Sequence, residues 1–497
     1  MDPANGIDTV ADVVCVDGRI AEVAPGAAAA LAPGGPSGPT PTDPHGAAPL
    51  PGAAGINLID CTGLVVTPGL IDLHTHVYPG LGDFCVGPDA AGVDVGVPVV
   101  VDGGTSGVRT FGLARAFIEG PSVRTRVLAF LDPCLLYLAT KDFIAHRLEI
   151  ANDPRNLDLD ATAATLAEHR DVIVGLKVRA TTAGDPRTSP FLEGAKQVAD
   201  GIPIMIHLGR YPYTPSLSNL DAISALRPGD IVTHAFRGHS GALVDDGRAA
   251  DGRFADAVAS GVRLDVGHSG SDFRFSAARS LFSLGYLPTT ISTDLNLFSI
   301  DGPVYSLPET MSKIWALGVG LADVVAMATS NTAAVIGRAD ELGTLDVGRD
   351  AEVSVLRIDE GAFRMSDGFE TIIADRRLTP IGCLRAGDWI PAAPDRRAGA
   401  PSGPPGPATG DEATLHDPAG AARFLSAARE PATREPAPPA ARENHDRAAF
   451  GAPATREPAP PAARENHDRA AFGAPDAVVG AARPASPALG TAAPTAV

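Results

Sequence analysis

The stretch IDLHTHVYPG, residues 71–80, is an apolar run that ends in two histidines, His74 and His76. In a β-strand the side chains of residues i and i+2 point to the same face, so both imidazoles face the same way near the carboxyl end of this strand. A single buried histidine is usually a hydrogen-bonded core residue. The pair leaves two interpretations open on this motif alone, a polar core and a metal site.

Seven further apolar runs follow at regular intervals, with helical periodicity between them at residues 159–170 and 277–285. Most runs are continuous rather than alternating, which is typical of strands buried on both faces. Eight strand–helix units predict an α/β fold, a (β/α)8 TIM barrel with its active-site mouth at the strands' carboxyl ends. A doubly wound sheet is disfavoured because no GxGxxG follows the first run. The eight runs are 70–77, 98–104, 125–132, 171–180, 203–209, 230–236, 263–270 and 289–295.

The remaining segments of the 497-residue chain flank this barrel. β-rich stretches on both sides predict one small β-sandwich built from both chain ends. The C-terminal segment is rich in Pro and Ala and repeats a 22-residue unit identically at 431–452 and 453–474. Too few large apolar residues are present there to offset the entropy of ordering, so we predict a disordered tail. The predicted segments are the N-terminal half of the sandwich at 1–66 with a loop insertion at 26–55, the barrel at 67–341, the C-terminal half of the sandwich at 342–395 and the tail at 396–497.

The net charge and the composition indicate which kinds of partner and which cellular compartment to expect. A net charge of −19 argues against a nucleic-acid partner. The sequence has no apolar run of 18 residues and no basic residue before Arg19, so neither a membrane span nor a secretory signal is predicted. Five scattered cysteines without a CxxC spacing indicate reduced thiols. We expect a cytoplasmic protein that acts on a small molecule, and a homo-oligomer is left open.

Polar side chains also end other strands of the predicted barrel. Lys177 ends the fourth run, His207 the fifth, His234 the sixth and Asp294 the eighth. The spacings between these residues follow the β/α repeat, which would not be expected if they were placed by chance. The series therefore predicts a metal site at the mouth of the barrel. Imidazole and carboxylate ligands suit zinc, although iron, manganese or cobalt would also fit.

Lys177 is the unusual member, because an ammonium group cannot bind a metal. Burial lowers the pKa of a lysine and favours the neutral amine. A neutral amine can add carbon dioxide to form a carbamate, which has two oxygens and can bridge two divalent ions. The alternative is a lysine paired with a carboxylate at the barrel mouth. Two ions about 3.5–4 Å apart could share a hydroxide and polarise a carbonyl.

With these residues the chain resembles the amidohydrolase superfamily, binuclear type with a carboxylated lysine, and within it the deacetylase branch often labelled dihydroorotase-like. The resemblance covers nearly all of residues 1–391. It rests on DPANGIDTVADV, VVTPGLIDLHTHVYPG, VGLKVRA, RPGDIVTHAFRG, LDVGHSGSDFRF, ISTDLN and LPETMSKIWALG.

The resemblance implies a role for each candidate residue. Asp294 would take the proton of a bridging hydroxide and deliver it to the leaving group, in enzymes that remove acetyl from N-acyl amino acids or 2-acyloxy acids. Two divalent ions, most simply Zn²⁺, are implied as cofactors, with N6-carboxylysine at position 177. The implied ligands are His74, His76 and Asp294 for the more buried ion, His207 and His234 for the second, and Lys177 as the bridge.

The chain departs from the family pattern in places. Ser269 and Ser271–Asp272 stand where family members commonly show glycines, and the strand usual before DPANG is absent or lies upstream of Met1. Tyr78 stands where dihydroorotases carry an arginine for the substrate carboxylate. A cyclic amide hydrolase of dihydroorotase or hydantoinase type is therefore the second hypothesis. A catalytically dead barrel is the third, disfavoured because all six ligand positions are filled.

Candidate substrate contacts follow from the same departures. If the substrate is a carboxylic acid, Arg179 is the first candidate to bind it, ahead of Arg210 and Arg237, because a guanidinium suits bidentate pairing. His268 ends the seventh run, and Tyr78 follows the metal motif. Both are further candidates for contact with the substrate.

Overall fold

The structure is a computed structural model of the chain. All described residues belong to one compact unit. The tandem repeat and most of the predicted loop insertion lie outside the described residues. The described residues are 1–30, 49–51, 57–82, 84–135, 153–182, 185, 187–208, 215–238, 243–245, 248–249, 252–399 and 495–496.

The described residues form short strands and helices in alternation. The strands are β1 (Asp12–Val16), β2 (Arg19–Ala24), β3 (Pro49–Pro51), β4 (Asn57–Ile59), β5 (Val65–Pro68), β6 (Ile71–Thr75), β7 (Val99–Gly107), β8 (Arg126–Asp132), β9 (Ile173–Arg179), β10 (Ile204–His207), β11 (Ile231–Thr233), β12 (Val244–Asp245), β13 (Arg248–Ala249), β14 (Arg263–Leu264), β15 (Val353–Ser366), β16 (Thr371–Arg385), β17 (Asp388–Pro391) and β18 (Thr495–Ala496). The α-helices are α1 (Pro88–Ala91), α2 (Phe111–Ile118), α3 (Leu159–Glu168), α4 (Pro190–Val198), α5 (Asn219–Ser224), α6 (Gly252–Ser260), α7 (Phe275–Ser283), α8 (Leu307–Ala316), α9 (Leu321–Met327) and α10 (Ser330–Val335).

Seven parallel strands form the central sheet, in the order β14-β11-β10-β9-β8-β7-β6. The predicted eighth strand is not a regular strand. Residues 290–295 instead reach both edges through isolated parallel bridges, Asp265 with Thr290 and Thr75 with Leu295. A left-handed φ of 48° at Asp294 interrupts the extended backbone there. The predicted barrel is thus confirmed, with its eighth element reduced to a bridging segment.

The barrel strands are buried on both faces, as their continuous apolar runs predict. Every residue of β7 is buried. Val99 and Val101 belong to a cluster that includes residues of six strands and Ala333 of α10. Val100, between them, packs into the larger cluster that also contains residues of the surrounding helices. The predicted helical segments are observed as α3 and α7.

Several helices begin at a capping side chain that precedes the apolar face. The carboxylate of Asp158 accepts a hydrogen bond from the Ala161 N–H at the start of α3. Ser189 and Ser306 cap α4 and α8, and each of these helices has a proline in its first turn. These caps fix where each helix begins beside the sheet.

The predicted sandwich from both chain ends is confirmed. One sheet has the order β17-β16-β15-β5 and the other β2-β1-β18-β4-β3. Val13 and Ile20 from the N-terminal segment share a buried cluster with Val353 and Ile381 from the C-terminal segment. The boundaries proposed for the domains stay a prediction. Within the tail predicted to be disordered, Arg396–Gly399 form a 3-10 helix and Thr495–Ala496 pair as β18, whereas residues 400–494 and 497 lie outside the described residues.

The long hairpin of β15 and β16 extends past the sandwich to the barrel. The carboxylate of Asp367 accepts a hydrogen bond from the Phe275 N–H at the start of α7, at 2.8 Å. The Leu378 N–H donates to the Ser312 hydroxyl of α8 at 2.9 Å. Among the residues that the structure describes, no helix is long and apolar enough to cross a membrane.

Candidate metal centre

The six predicted ligands lie together at the carboxyl ends of the barrel strands. Lys177 Nζ is 2.9 Å from His74 Nε2, and His76 Nε2 is 3.0 Å from Asp294 Oδ1. Asp294 Oδ1 is also 3.4 Å from His74 Nε2. The structure therefore brings together residues of β6, of β9 and of the segment that bridges the two edges of the sheet.

The second group of the cluster is built by β10 and β11. His234 Nε2 lies 3.1 Å from His207 Nδ1, and their ring centroids are 4.4 Å apart. His234 Nε2 is also 3.9 Å from Asp294 Oδ2, which joins the two groups of the cluster. His234 has a left-handed φ of 62°, a conformation that residues other than glycine seldom adopt and that is often found at functional sites.

Burial sets the protonation states of this cluster. Burial lowers the pKa of His74 and of His207 well below the usual histidine value, with the nearby charges acting in the same direction. Neutral imidazole is the form that binds a metal. Burial also lowers the pKa of Lys177 to about 7, against the opposing effect of Asp294. A substantial share of this lysine is then a neutral amine near neutral pH.

Hydrogen bonds behind the rings determine which nitrogen faces the centre. The Thr233 hydroxyl donates to Asp265 Oδ2 at 2.8 Å, so its oxygen accepts from His74 Nδ1–H at 3.0 Å. A neutral His74 therefore presents the lone pair of Nε2 to the cluster.

Two other histidines are oriented in the same way. The Thr105 hydroxyl donates to Asp102 Oδ2 at 2.8 Å and accepts from His76 Nδ1–H at 2.6 Å. His234 Nδ1–H donates to the Gly267 carbonyl at 2.7 Å. In the neutral form, the His76 ring directs its Nε2 lone pair toward Asp294, so an acceptor faces an acceptor, and the Nε2 lone pair of His234 points to the space between His207 and Asp294. A bound cation would resolve that arrangement.

Glycines within β7 and near β14 make room for the candidate ligands. A Cβ atom on Gly103 would lie 2.1 Å from His74 Cδ2, and one on Gly104 would lie 2.4 Å from Lys177 Cβ. A Cβ on Gly267 would lie 2.7 Å from His234 Nδ1. The VDGG sequence at 101–104 was thus a signal for the site that the sequence reasoning missed.

Asp272 is a further residue that the sequence reasoning did not place in the site. Two groups of side chains have ligand atoms within 4.8 Å of one another, His74 with His76 and Asp294, and His234 with Asp272 and Asp294. Burial acts to raise the pKa of Asp272, but Arg237 and His234 lower it well below the usual aspartate value. The carboxylate is therefore ionised.

The candidate substrate contacts occupy different surroundings. Arg179 ends β9, two residues after Lys177, and is partly exposed. Arg237 Nη2 pairs with Asp272 Oδ1 at 2.8 Å.

His268 is buried, with Nε2 3.0 Å from Lys313 Nζ and Nδ1 3.2 Å from the Gly270 N–H. Tyr78 is 1% exposed, and its hydroxyl has no hydrogen-bond partner among the described residues. Arg210 lies outside the described residues.

Known proteins with similar sequences are named deacetylases and dihydroorotases, whereas no protein-family model matches the chain. A deacetylase of Agrobacterium fabrum is 34% identical over 334 residues, which cover 66% of this chain and 79% of that protein. A deacetylase of Brucella anthropi is 32% identical over 356 residues, 69% of this chain and 86% of that protein. A dihydroorotase of Geobacter sulfurreducens is 38% identical over 82 residues, 16% of this chain and 14% of that protein.

Solved structures show the same architecture. A dihydroorotase crystal structure is 29% identical, with a TM-score of 0.63, and the match covers 78% of this chain and 94% of that one. An adenine deaminase is 25% identical with a TM-score of 0.63, covering 76% of this chain and 94% of that one. A D-hydantoinase at 14% identity and a TM-score of 0.51, with 79% and 93% covered, supports the fold alone.

Proposed function

The chain belongs to the amidohydrolase superfamily, in its dihydroorotase-like branch, and from that premise we propose a metal-dependent deacetylase of small molecules. It is a hydrolase, as its relatives are. The enzyme would remove an acyl group, most simply acetyl, from N-acyl amino acids or 2-acyloxy acids. One observation supports this proposal: the Nε2 atoms of three buried histidines lie around the Asp294 carboxylate.

The donor set fits divalent metal ions. Neutral imidazoles with fixed tautomers and an ionised carboxylate are typical zinc ligands. We propose two ions, with zinc as the first choice. His74, His76 and Asp294 would hold the more buried ion, and His207 and His234 the second. When bound, the ions would lower the pKa of a water molecule and polarise the acyl carbonyl.

Lys177 is proposed to bridge the two ions as N6-carboxylysine. Its pKa of about 7, set mainly by burial, supports a neutral amine that can add carbon dioxide. Its Nζ lies 2.9 Å from His74 Nε2, so a carbamate at this atom would be next to the first group of ligands.

Asp294 is proposed as the proton carrier. Its backbone N–H donates to the His74 carbonyl at 2.6 Å, which fixes the carboxylate beside the imidazoles. From there it would accept a proton from the attacking water and deliver it to the leaving group. The carboxylate thus acts first as a base and then as an acid.

Arg179 remains the first candidate for a substrate carboxylate. It lies at the end of the same strand as Lys177 and is partly exposed, whereas Arg237 is buried. Contacts of His268 and Tyr78 with the substrate also stay proposals. A cytoplasmic location is proposed from the five cysteines, all of which are thiols rather than disulfides.

A cyclic amide hydrolase is the second candidate, supported by the dihydroorotase structure at 29% identity. The two functions are distinguished by acetate release from the zinc-loaded protein. Matched pairs of an O-acetyl 2-hydroxy acid and the N-acetyl amino acid with the same side chain would be offered in both configurations, with dihydroorotate as the control. Acetate release from one member supports the deacetylase. Turnover of dihydroorotate alone contradicts it.

A further inference from the structure

The loop after β14 turns Asp272 back toward the metal ligands. Ser269 and Gly270 have left-handed φ values of 53° and 89°, and the Ser269 N–H donates to the Thr293 carbonyl at 2.8 Å. The loop is thereby fixed to the segment that carries Asp294. Asp272 itself is buried, at 9% exposure.

The contacts of the Asp272 carboxylate leave one position open. An ionised carboxylate offers about four lone-pair sites. Oδ2 accepts from the hydroxyls of Ser269 at 2.7 Å and Ser271 at 3.1 Å, so both of its sites are used. Oδ1 accepts from Arg237 Nη2 at 2.8 Å. Among the described residues, nothing occupies the second site of Oδ1.

The Asp272 carboxylate lies beside the second group of candidate ligands. A carboxylate oxygen of Asp272, a nitrogen of His234 and a carboxylate oxygen of Asp294 are all within 4.8 Å of one another. Zinc ligands lie about 2.0–2.2 Å from the ion, so small side-chain shifts would bring all three atoms to one ion. Ligating carboxylates are themselves commonly held by hydrogen bonds, as Ser269, Ser271 and Arg237 hold this one.

We propose that Asp272 is an additional ligand of the second divalent ion, one that the resemblance to the superfamily does not supply. The two serines and Arg237 orient its carboxylate, and Oδ1 binds the ion together with His234. This inference rests on the proposed metal centre. A carboxylate oxygen is a hard ligand in the Lewis acid–base sense. With Asp272 as a ligand, Mn²⁺ and Fe²⁺ therefore compete better with Zn²⁺ at the second metal position than at a position without that oxygen.

Metal titration of the full-length protein tests this assignment. Chelator-treated wild type and variants are titrated with Zn²⁺ and with Mn²⁺, and bound metal is counted by elemental analysis after dialysis. Asp272→Asn removes the charge at nearly constant shape. The double variant Asp272→Asn/Arg237→Gln also removes the cation that would otherwise be left buried without its carboxylate. Asp89→Asn is the matched control, since Asp89 pairs with Arg124 at the opposite end of the barrel.

The expected result is weaker binding of one ion, by roughly 10–100-fold, in both Asp272 variants. The other ion and the Asp89→Asn protein keep wild-type affinity. Two ions bound with wild-type affinity in the variants would overturn the ligand assignment and leave the proposed function intact. A wild type that binds no metal would overturn both.

A measurement on the unmodified protein complements the variants. Anomalous diffraction from crystals of the Mn²⁺-loaded wild type locates the ions directly. Asp272 Oδ1 about 2.0–2.4 Å from the second ion is expected for a ligand. A separation beyond about 3 Å with both ions present contradicts the assignment.

Discussion

At the amino-terminal end of the barrel strands, Asp89 accepts hydrogen bonds from the backbone and side chains of Arg124 and Thr125, at 2.8–3.0 Å. At the carboxyl end, Asp294 faces imidazole nitrogens of His74, His76 and His234, at 3.4, 3.0 and 3.9 Å. The first carboxylate is surrounded by donors. The second is surrounded by nitrogens that carry lone pairs when the rings are neutral.

This difference separates groups that hold the fold from groups that bind a ligand. Two buried acceptor atoms that face each other repel, and this repulsion destabilises a protein. Left-handed backbone at His234 and Asp294 adds to that cost. A bound cation would remove the repulsion between these acceptors, so the arrangement fits a site for a cation. Removing side chains at the two ends should therefore have opposite consequences.

The largest effect is expected for Asp294→Asn, which keeps the shape but removes the proton acceptor. We expect kcat to fall by about 10²–10⁴-fold, the usual contribution of general acid–base catalysis, with metal largely retained. Initial rates of acetate release and elemental analysis of the same sample provide the check. Unchanged turnover would exclude the proton-transfer role.

Lys177→Ala should show a smaller loss that can be reversed chemically. Without the bridging group, we expect metal affinity to fall by at least about 10-fold. Added short-chain carboxylate, such as formate or propionate, should restore some of the metal content and the activity by supplying a bridge. Full metal occupancy in the variant without any added carboxylate contradicts the bridging role.

Asp89→Asn should show the reverse pattern at the other end of the barrel. Replacing this hydrogen-bonded carboxylate should reduce the free energy of unfolding by about 1–3 kcal/mol. Metal content and kcat should stay at wild-type values, because the site lies at the opposite strand ends. Denaturant unfolding measures the first quantity. Loss of metal in a folded Asp89→Asn protein would remove the distinction between the two ends.

The smallest effect is a pH dependence of stability in the metal-free protein. The pKa of Lys177 is lowered from 10.5 to about 7 in the folded state, so the unfolded chain binds more protons between these values. Its contribution to stability therefore rises with pH across that window, by at most about 1.4 kcal/mol per pH unit. Lys177→Met should lose this contribution to the slope when both proteins are unfolded by urea from pH 7 to 9. Identical slopes contradict the assigned pKa.

Much of the fold and of the cluster of candidate ligands could be predicted because both follow the β/α repeat. Strand periodicity places His74 and His76 on one face, and the repeat brings Lys177, His207 and His234 to the same strand ends. The eighth strand was predicted as regular because residues 289–295 continue the regular spacing of the β/α repeat. Its left-handed residue, Asp294, depends on contacts that the sequence pattern does not encode.

Residues outside the β/α repeat were not predicted, because their positions also depend on contacts that the sequence pattern does not encode. Asp272 lies in a loop without periodicity, and its position depends on the turn at Ser269 and Gly270. The hydrogen bonds behind the histidines cross between strands far apart in the sequence, as the one between His74 of β6 and Thr233 of β11 does. His268 was expected at the strand end as a substrate contact. Its contact with Lys313 depends on how α8 packs, which no local pattern indicates.

Elemental analysis of the purified wild type, beside a variant with His74→Asn and His76→Asn, tests the central claim most directly. The two proteins are loaded with Zn²⁺ under the same conditions, and bound metal is measured per chain. We predict two ions in the wild type and loss of at least the more buried ion in the variant. A wild type that binds no zinc, or a variant that keeps both ions, would contradict a metal centre at the carboxyl ends of the barrel strands.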